Sequence, residues 1–232
     1  MEIHGFIKTT LLDYPGHLAA TIFTGKCNFR CPFCHNKDLV LHSKSLPFLD
    51  SKEILHYLKR RVGILDGVCI TGGEPTLQPD LEDFIRQIKE LGLLIKLDTN
   101  GYRPVVLQSL IDEKLVDYVA MDIKNSFSKY SITCGISDIN LSQIEESIHI
   151  LLQNQVPYEF RTTISKELHS EQDIIEIGHM LQGAQAYFLQ NYKDSPNVIS
   201  QGFTPCTQEK IIHYIELLKP FIPFVKERGQ DR

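Results

Sequence analysis

Short apolar runs alternate with amphipathic stretches along this chain, and that alternation restricts the architectures open to it. Strand signals rich in β-branched or aromatic residues fall at 19–25 (AATIFTG), 67–73 (GVCITGG), 93–101 (LLIKLDTNG), 116–124 (VDYVAMDIK), 156–164 (VPYEFRTTI) and 184–192 (AQAYFLQNY). Between them, 51–61, 79–92, 103–113, 140–154 and 170–182 read as helices. Ser51 is the expected N-cap of the first, and an acidic first turn and Gly92 bound the second. A closing helix is expected over 207–221 and a short last strand over 224–229. Six strand signals separated by helices predict an α/β fold with a parallel sheet of βαβ units. The periodicity leaves strand order open, since a doubly wound sheet and a barrel-like sheet both satisfy it. The expected organisation is one domain over 1–232, with a core at about 17–195 and an added helix and strand at about 205–229.

In either sheet, functional residues gather at the C-terminal ends of the strands. Cys27 to Cys34 follow the first strand, Gly72 to Pro75 the second, Asp98 to Asn100 the third, and Asp122 and Lys124 the fourth. Arg161 lies late in the fifth, and Gln190 to Tyr192 end the sixth. A composition of 42% hydrophobic and 23% charged residues supports a buried core. A net charge of −5 argues against nucleic-acid binding through a basic surface. No apolar run reaches the length of a membrane span, and the first residues lack a signal peptide's apolar region, so a cytoplasmic protein is expected. In a reducing compartment, six cysteines are more readily metal ligands or thiols than disulfides.

Three of them sit in CNFRCPFCHN, as Cys27, Cys31 and Cys34 in a C-x3-C-x2-C spacing with Phe33 before the last. A structural zinc site needs four ligands, and His35 is adjacent to Cys34, which makes it a poor fourth. An electron carrier normally adds a fourth cysteine. Three thiolates on a four-iron cluster leave one iron open to a substrate, as catalytic metal sites do. Cys69 lies in an apolar strand and reads as a core residue. Cys134 and Cys206 lie alone in loop-like segments and read as simple thiols. TGGEP (71–75) and LDTNG (97–101) are also ordinary turn sequences. Asp122 and Lys124 are two apart on a strand, hence on one face, where an acid and a base could receive an amino acid's ammonium and carboxylate. An arginine in the apolar EFRTT is either an edge residue or an anion receptor.

The cysteine motif resembles that of the radical S-adenosylmethionine (SAM) superfamily, and the resemblance implies a partial, incomplete TIM barrel of about six parallel βα units. It also implies a [4Fe–4S] cluster on Cys27, Cys31 and Cys34 whose open iron is chelated by SAM. Electron transfer to the sulfonium then yields methionine and a 5′-deoxyadenosyl radical. TGGEP resembles the superfamily's glycine-rich motif, which implies that Gly72, Gly73, Glu74 and Pro75 receive the ligand's amino group. His35-Asn36 after the third cysteine, D-T-N-G at 98–101 and D-x-K at 122–124 resemble glycyl-radical-enzyme activases. That likeness places Asp98 and Asp122 near the amino group and Lys124 on the carboxylate, and allows a monovalent cation on Asp98, Thr99 and Asp122. Arg161 is expected on the carboxylate as well, and Gln190 or Asn191 against the ligand.

Further stretches, LLDYPGHLAATIFTGKCNFRCPFCHN, TGGEPTLQPDL, LGLLIKLDTNGYRP, LVDYVAMDIK, YEFRTT and YFLQNYKDS, are similar to the anaerobic ribonucleoside-triphosphate reductase activating proteins. The implied partners are that reductase, whose backbone glycine would lose a hydrogen, and a flavodoxin- or ferredoxin-type electron donor. Lys26 departs from the small residue many relatives carry before the first cysteine. Two alternatives stand beside this reading: a radical enzyme acting on another protein or a small molecule, as in modified-base synthesis, and a non-enzymatic zinc or iron–sulfur domain.

Overall fold

The structure is a computed structural model and describes residues 1–229. Among the described residues, the strands are hydrogen-bonded to one another in chain order. The described residues form two compact units.

The first unit holds residues 1–28, 36–120 and 155–157. Strand β1 (Ile3–Thr10) lies antiparallel to β2 (Ala19–Thr24). Helices α1 (Lys37–Leu41) and α2 (Ser51–Lys59) follow, then β3 (Gly67–Gly72), α3 (Leu81–Lys89), β4 (Leu94–Thr99) and α4 (Pro104–Asp112). β2 pairs in parallel with β3, Ala19 opposite Gly67 and Thr24 opposite Gly72, and β3 pairs in parallel with β4. Gly67 to Ile70 are all buried, the continuous run expected of a parallel strand covered on both faces. α3 buries Leu81, Phe84, Ile85 and Ile88, a spacing that puts one apolar stripe on the sheet. The N-cap of α2 is Asp50, whose carboxylate accepts from the Lys52 amide at 2.9 Å. Ser51, the expected cap, is already helical.

Strand β5 (Tyr118–Asp122) runs from the first unit into the second, which holds 29–35, 121–154 and the chain from Tyr158 onward. The second unit contains α5 (Tyr130–Cys134), α6 (Leu141–Leu152), β6 (Tyr158–Ile164), α7 (Glu171–Met180), β7 (Tyr187–Asn191), α8 (Gln208–Leu218) and β8 (Val225–Glu227). β6, β7 and β8 pair in parallel. Asn140 caps α6, Thr207 caps α8, and Ser170 with Asp173 closes a capping box on α7.

Three elements, β1, α1 and α5, were not in the sequence reading. β1 was not expected, because its register shifts between Ile3 and Gly5 and between Ile7 and Thr10 and so breaks the alternation that marks a strand. Cys134, expected in a loop, ends helix α5, which stops at Gly135 with φ +71°. Cys69 is fully buried in β3, as expected of a core residue. Among the described residues, no helix is long and apolar enough to cross a membrane.

Candidate active site

In the first unit, β2 delivers Gly25, Lys26 and Cys27 beside the turn that ends β3. Lys26 sits at φ +66°, and its amide donates to the Leu39 carbonyl at 2.9 Å. Its carbonyl accepts from the Glu74 amide at 2.8 Å, and the Thr24 carbonyl accepts from Gly73 at 2.8 Å. A Cβ on Gly73 would run into the Lys26 carbonyl, and one on Gly72 into the Thr24 backbone. The glycines of TGGEP therefore admit the chain's own cysteine loop, a use the sequence alone could not distinguish from ligand approach. Asn36 donates to the Gly72 carbonyl at 2.9 Å and holds the same turn.

Glu74 is 1% exposed. Its Oε1 accepts from the Thr76 amide (3.1 Å), the Thr76 hydroxyl (2.6 Å) and the Thr99 hydroxyl (2.7 Å), while Oε2 accepts from the Asn100 amide at 2.7 Å. Burial pushes its pKa up, against the pull of those four donors. The carboxylate expected to face a ligand is thus engaged inside the protein and joins the ends of β3 and β4. Pro75 is buried and opens the short turn that follows. Asn100 also points its side-chain amide at the Asn28 carbonyl oxygen (2.8 Å) and at the Cys27 sulfur (3.8 Å). Asp98 pairs with Lys96, a lysine only 1% exposed on β4. With Thr99 turned to Glu74 and Asp98 to Lys96, both candidate cation ligands of this unit have protein partners.

In the second unit, Cys31 and Cys34 close a turn in which the Cys34 amide donates to the Cys31 carbonyl at 3.0 Å. Ser200 and Ile199 donate to the carbonyls of Pro32 (2.8 Å) and Cys34 (3.3 Å), and Phe33 anchors the turn in the core. Asp122 meets Arg161 Nε at 2.9 Å through Oδ1 and Lys124 Nζ at 3.3 Å through Oδ2. Burial alone would raise the Asp122 pKa, but Arg161 and then Lys124 overcome it and hold the carboxyl at about 2. Burial works against the Lys124 charge too, yet Asp122, Cys31, Tyr130 and Cys34 keep its pKa above the ordinary lysine value. The expected same-face pair is real, though Lys124 lies past the end of β5. Arg161 is buried on β6, paired with β7, and an arginine there reads as an acid's partner rather than an edge residue.

His35 and Gln190 line one open cleft of about 500 Å³ with Thr163, Asn191 and Lys193. The His35 ring is fixed by Lys193, whose carbonyl lies 2.7 Å from Nε2. Asn191 is spent differently from expectation: it exchanges two 2.9 Å hydrogen bonds with the Cys206 backbone. Lys96 and Tyr130 were missed as site residues. Lys96 carried a signal, a charge two residues before Asp98 in an otherwise apolar strand, whereas Tyr130 carried none.

Among the described residues, no three His, Cys, Asp or Glu side chains converge as one metal ion would require. A cluster distributes its ligands over several irons, so its cysteines need not converge on one point. Two buried polar atoms beside the cysteine loop find no hydrogen-bond acceptor among the described residues: Asn28 Nδ2 in the first unit and the Tyr130 hydroxyl in the second. Orphaned buried donors are uncommon in proteins. Within the second unit, the Tyr130 hydroxyl, the Cys31 and Cys34 thiols and the Lys124 cation lie within electrostatic range of one another, a set suited to an anionic, sulfur-rich group.

The model of the radical SAM superfamily matches residues 21–178. The chain belongs to the radical SAM superfamily. Its α/β fold is that superfamily's partial TIM barrel, and the family's cofactors are a [4Fe–4S] cluster and SAM. A Methanocaldococcus jannaschii protein named as a glycyl-radical enzyme activating enzyme is 34% identical over 196 residues, 82% of this chain and 80% of that one. The pyruvate formate-lyase 1-activating enzyme of Escherichia coli is 35% identical over 131 residues, 53% of this chain and 52% of its own length. This radical SAM chain therefore falls among the glycyl-radical enzyme activating proteins, although it spans only about half of the E. coli relative. In fold, it resembles Streptococcus suis SuiB bound to S-adenosylmethionine, with TM-score 0.68, 15% identity, and coverage of 88% of this chain and 49% of that one.

Proposed function

We propose that this protein activates a glycyl radical enzyme, with anaerobic ribonucleoside-triphosphate reductase as the partner, by removing a hydrogen from a backbone glycine Cα. When bound, the reduced [4Fe–4S] cluster would supply the one electron that splits SAM into methionine and the 5′-deoxyadenosyl radical that takes that hydrogen. Cys27, Cys31 and Cys34 are the cluster's ligands in this reading. Arg161 and Lys124 receive the methionine carboxylate. Asp122, Asp98 and the backbone of Gly72 to Pro75 take the amino group. His35, Phe33, Gln190 and Thr99 complete the set of ligand-binding residues. A flavodoxin- or ferredoxin-type protein supplies the electron.

The observation that carries this reading is the Asp122–Arg161–Lys124 group, in which the lysine is electrostatically coupled to both Cys31 and Cys34. Acid and base within one hydrogen-bonded group can recognise both ends of an amino acid, here beside two of the proposed cluster cysteines. Similarity to a named activating enzyme over most of the chain favours the same class.

The test is anaerobic. The protein is loaded with iron and sulfide, reduced, given SAM, and assayed for 5′-deoxyadenosine and methionine. It is then mixed with candidate reductases and examined by electron paramagnetic resonance. The expected result is a glycyl doublet that vanishes in Cys31→Ala, while Cys69→Ala keeps its iron. A loaded, reduced protein that gives 5′-deoxyadenosine but no doublet with any reductase would exclude the activase reading in favour of another substrate. Tight zinc in place of a brown cluster would exclude radical chemistry altogether.

A further inference from the structure

Tyr130 is fully buried at the start of α5, and its hydroxyl finds no acceptor among the described residues. The phenol oxygen faces the Lys124 backbone amide, which can only donate to it, so the hydroxyl's own proton is left without an acceptor. Such a group costs free energy unless something arrives to receive that proton.

The surroundings indicate what arrives. Helix α5 is fastened to the cysteine loop: the Arg30 amide donates to the Cys134 carbonyl at 2.8 Å, and Gly135 packs so closely on the Arg30 carbonyl that a Cβ there would collide with it. The Tyr130 ring also meets Phe29, between Cys27 and Cys31, edge to face at 6.4 Å. The phenol is within electrostatic range of Cys31 and of the Lys124 cation. A phenol keeps its proton at neutral pH, and with the Lys124 amide on the acceptor side of the oxygen, the capacity left open is the O–H donor.

We propose that the Tyr130 hydroxyl donates a hydrogen bond to the Cys31 sulfur once that thiolate carries iron, and thereby raises the reduction potential of the cluster. It is a positioning and tuning residue that touches neither substrate nor the scissile bond. The direction follows from charge: a donor to a ligand sulfur stabilises the more negative, reduced state. The proposal rests on the cluster assignment made above.

Tyr130→Phe tests it without any turnover. Wild type and variant are loaded anaerobically, their iron is counted, and the midpoint potential is measured by spectroscopic redox titration. The expected variant carries the same iron, and its reduction equilibrium is about tenfold less favourable, about 59 mV lower for a one-electron couple. Equal potentials at equal iron would overturn the tuning role and leave the cluster reading intact. A wild type that takes up no cluster would bring down the cluster assignment and this inference together.

Discussion

Glu74 and Asp122 are both carboxylates at the ends of core strands, and the protein treats them oppositely. Glu74, in the first unit, is sealed from water and met by hydroxyls and backbone amides. Burial lifts its pKa. Asp122, in the second, keeps about a third of its side chain exposed (32%) and is met by a guanidinium and an ammonium, which hold its pKa at about 2. Neutral donors spread around one carboxylate tie strand ends together, whereas cations beside another keep charge available at the surface of a site. The first unit thus braces the chain at Lys26 and Cys27, and the second holds charge within reach of its own Cys31 and Cys34.

The bracing role is most exposed at Gly73. Gly73→Ala must push the Lys26 carbonyl away, so the loop carrying Cys27 has to move. The expected cost is about 3 kcal/mol, at the upper end for overpacking, with loss of iron uptake. Chemical denaturation and iron content measure both, and retained iron at unchanged stability would dissolve the distinction between the units. Next comes Glu74→Gln, which sets an amide nitrogen against backbone and hydroxyl donors. A loss of about 1–3 kcal/mol is expected. Because Glu74's folded pKa lies above its unfolded value, its contribution to stability grows as pH falls through that raised value towards 4.5, so the gap between wild type and variant should widen on acidification.

Asp122→Asn should have the smallest effect, about 1 kcal/mol at neutral pH, since water screens the Asp122 carboxylate even though its partners are covered. Its pH dependence has the opposite sign. The folded pKa of about 2 lies below the ordinary 3.8, so the stabilisation is complete above pH 4 and lost as pH falls towards 2. Thermal melts of the two variants against wild type should diverge in opposite directions with acid. Slopes of the same sign would mean that the two carboxylates are not used differently.

Much of this was legible in advance. All six expected core strands and the main helices lie where hydrophobic period and caps placed them, because both are local properties. The cap of α2 slipped by one residue since Asp50 and Ser51 are both good caps and only the backbone chooses. β1 escaped because its bulges erase a two-residue period. The same-face pairing of Asp122 and Lys124 followed from strand geometry, but its closure by Arg161, 39 residues away, did not. Asn191 illustrates the converse: a strand-end amide that looked ready for a ligand is used by the Cys206 backbone.

Residue type and spacing alone were enough to define the alternation of strands and helices, the three-cysteine loop and the superfamily it signals. Each of these is written in neighbours along the chain. Which carboxylate would be sealed and which charged, what approaches the glycines of TGGEP, and which phenol is left with an unmatched proton were decided by tertiary structure. Those outcomes depend on groups brought together across dozens of residues, such as Asn100 and Cys27, 73 apart. A polar side chain's role is set by the partner it meets and by the water it loses on meeting it.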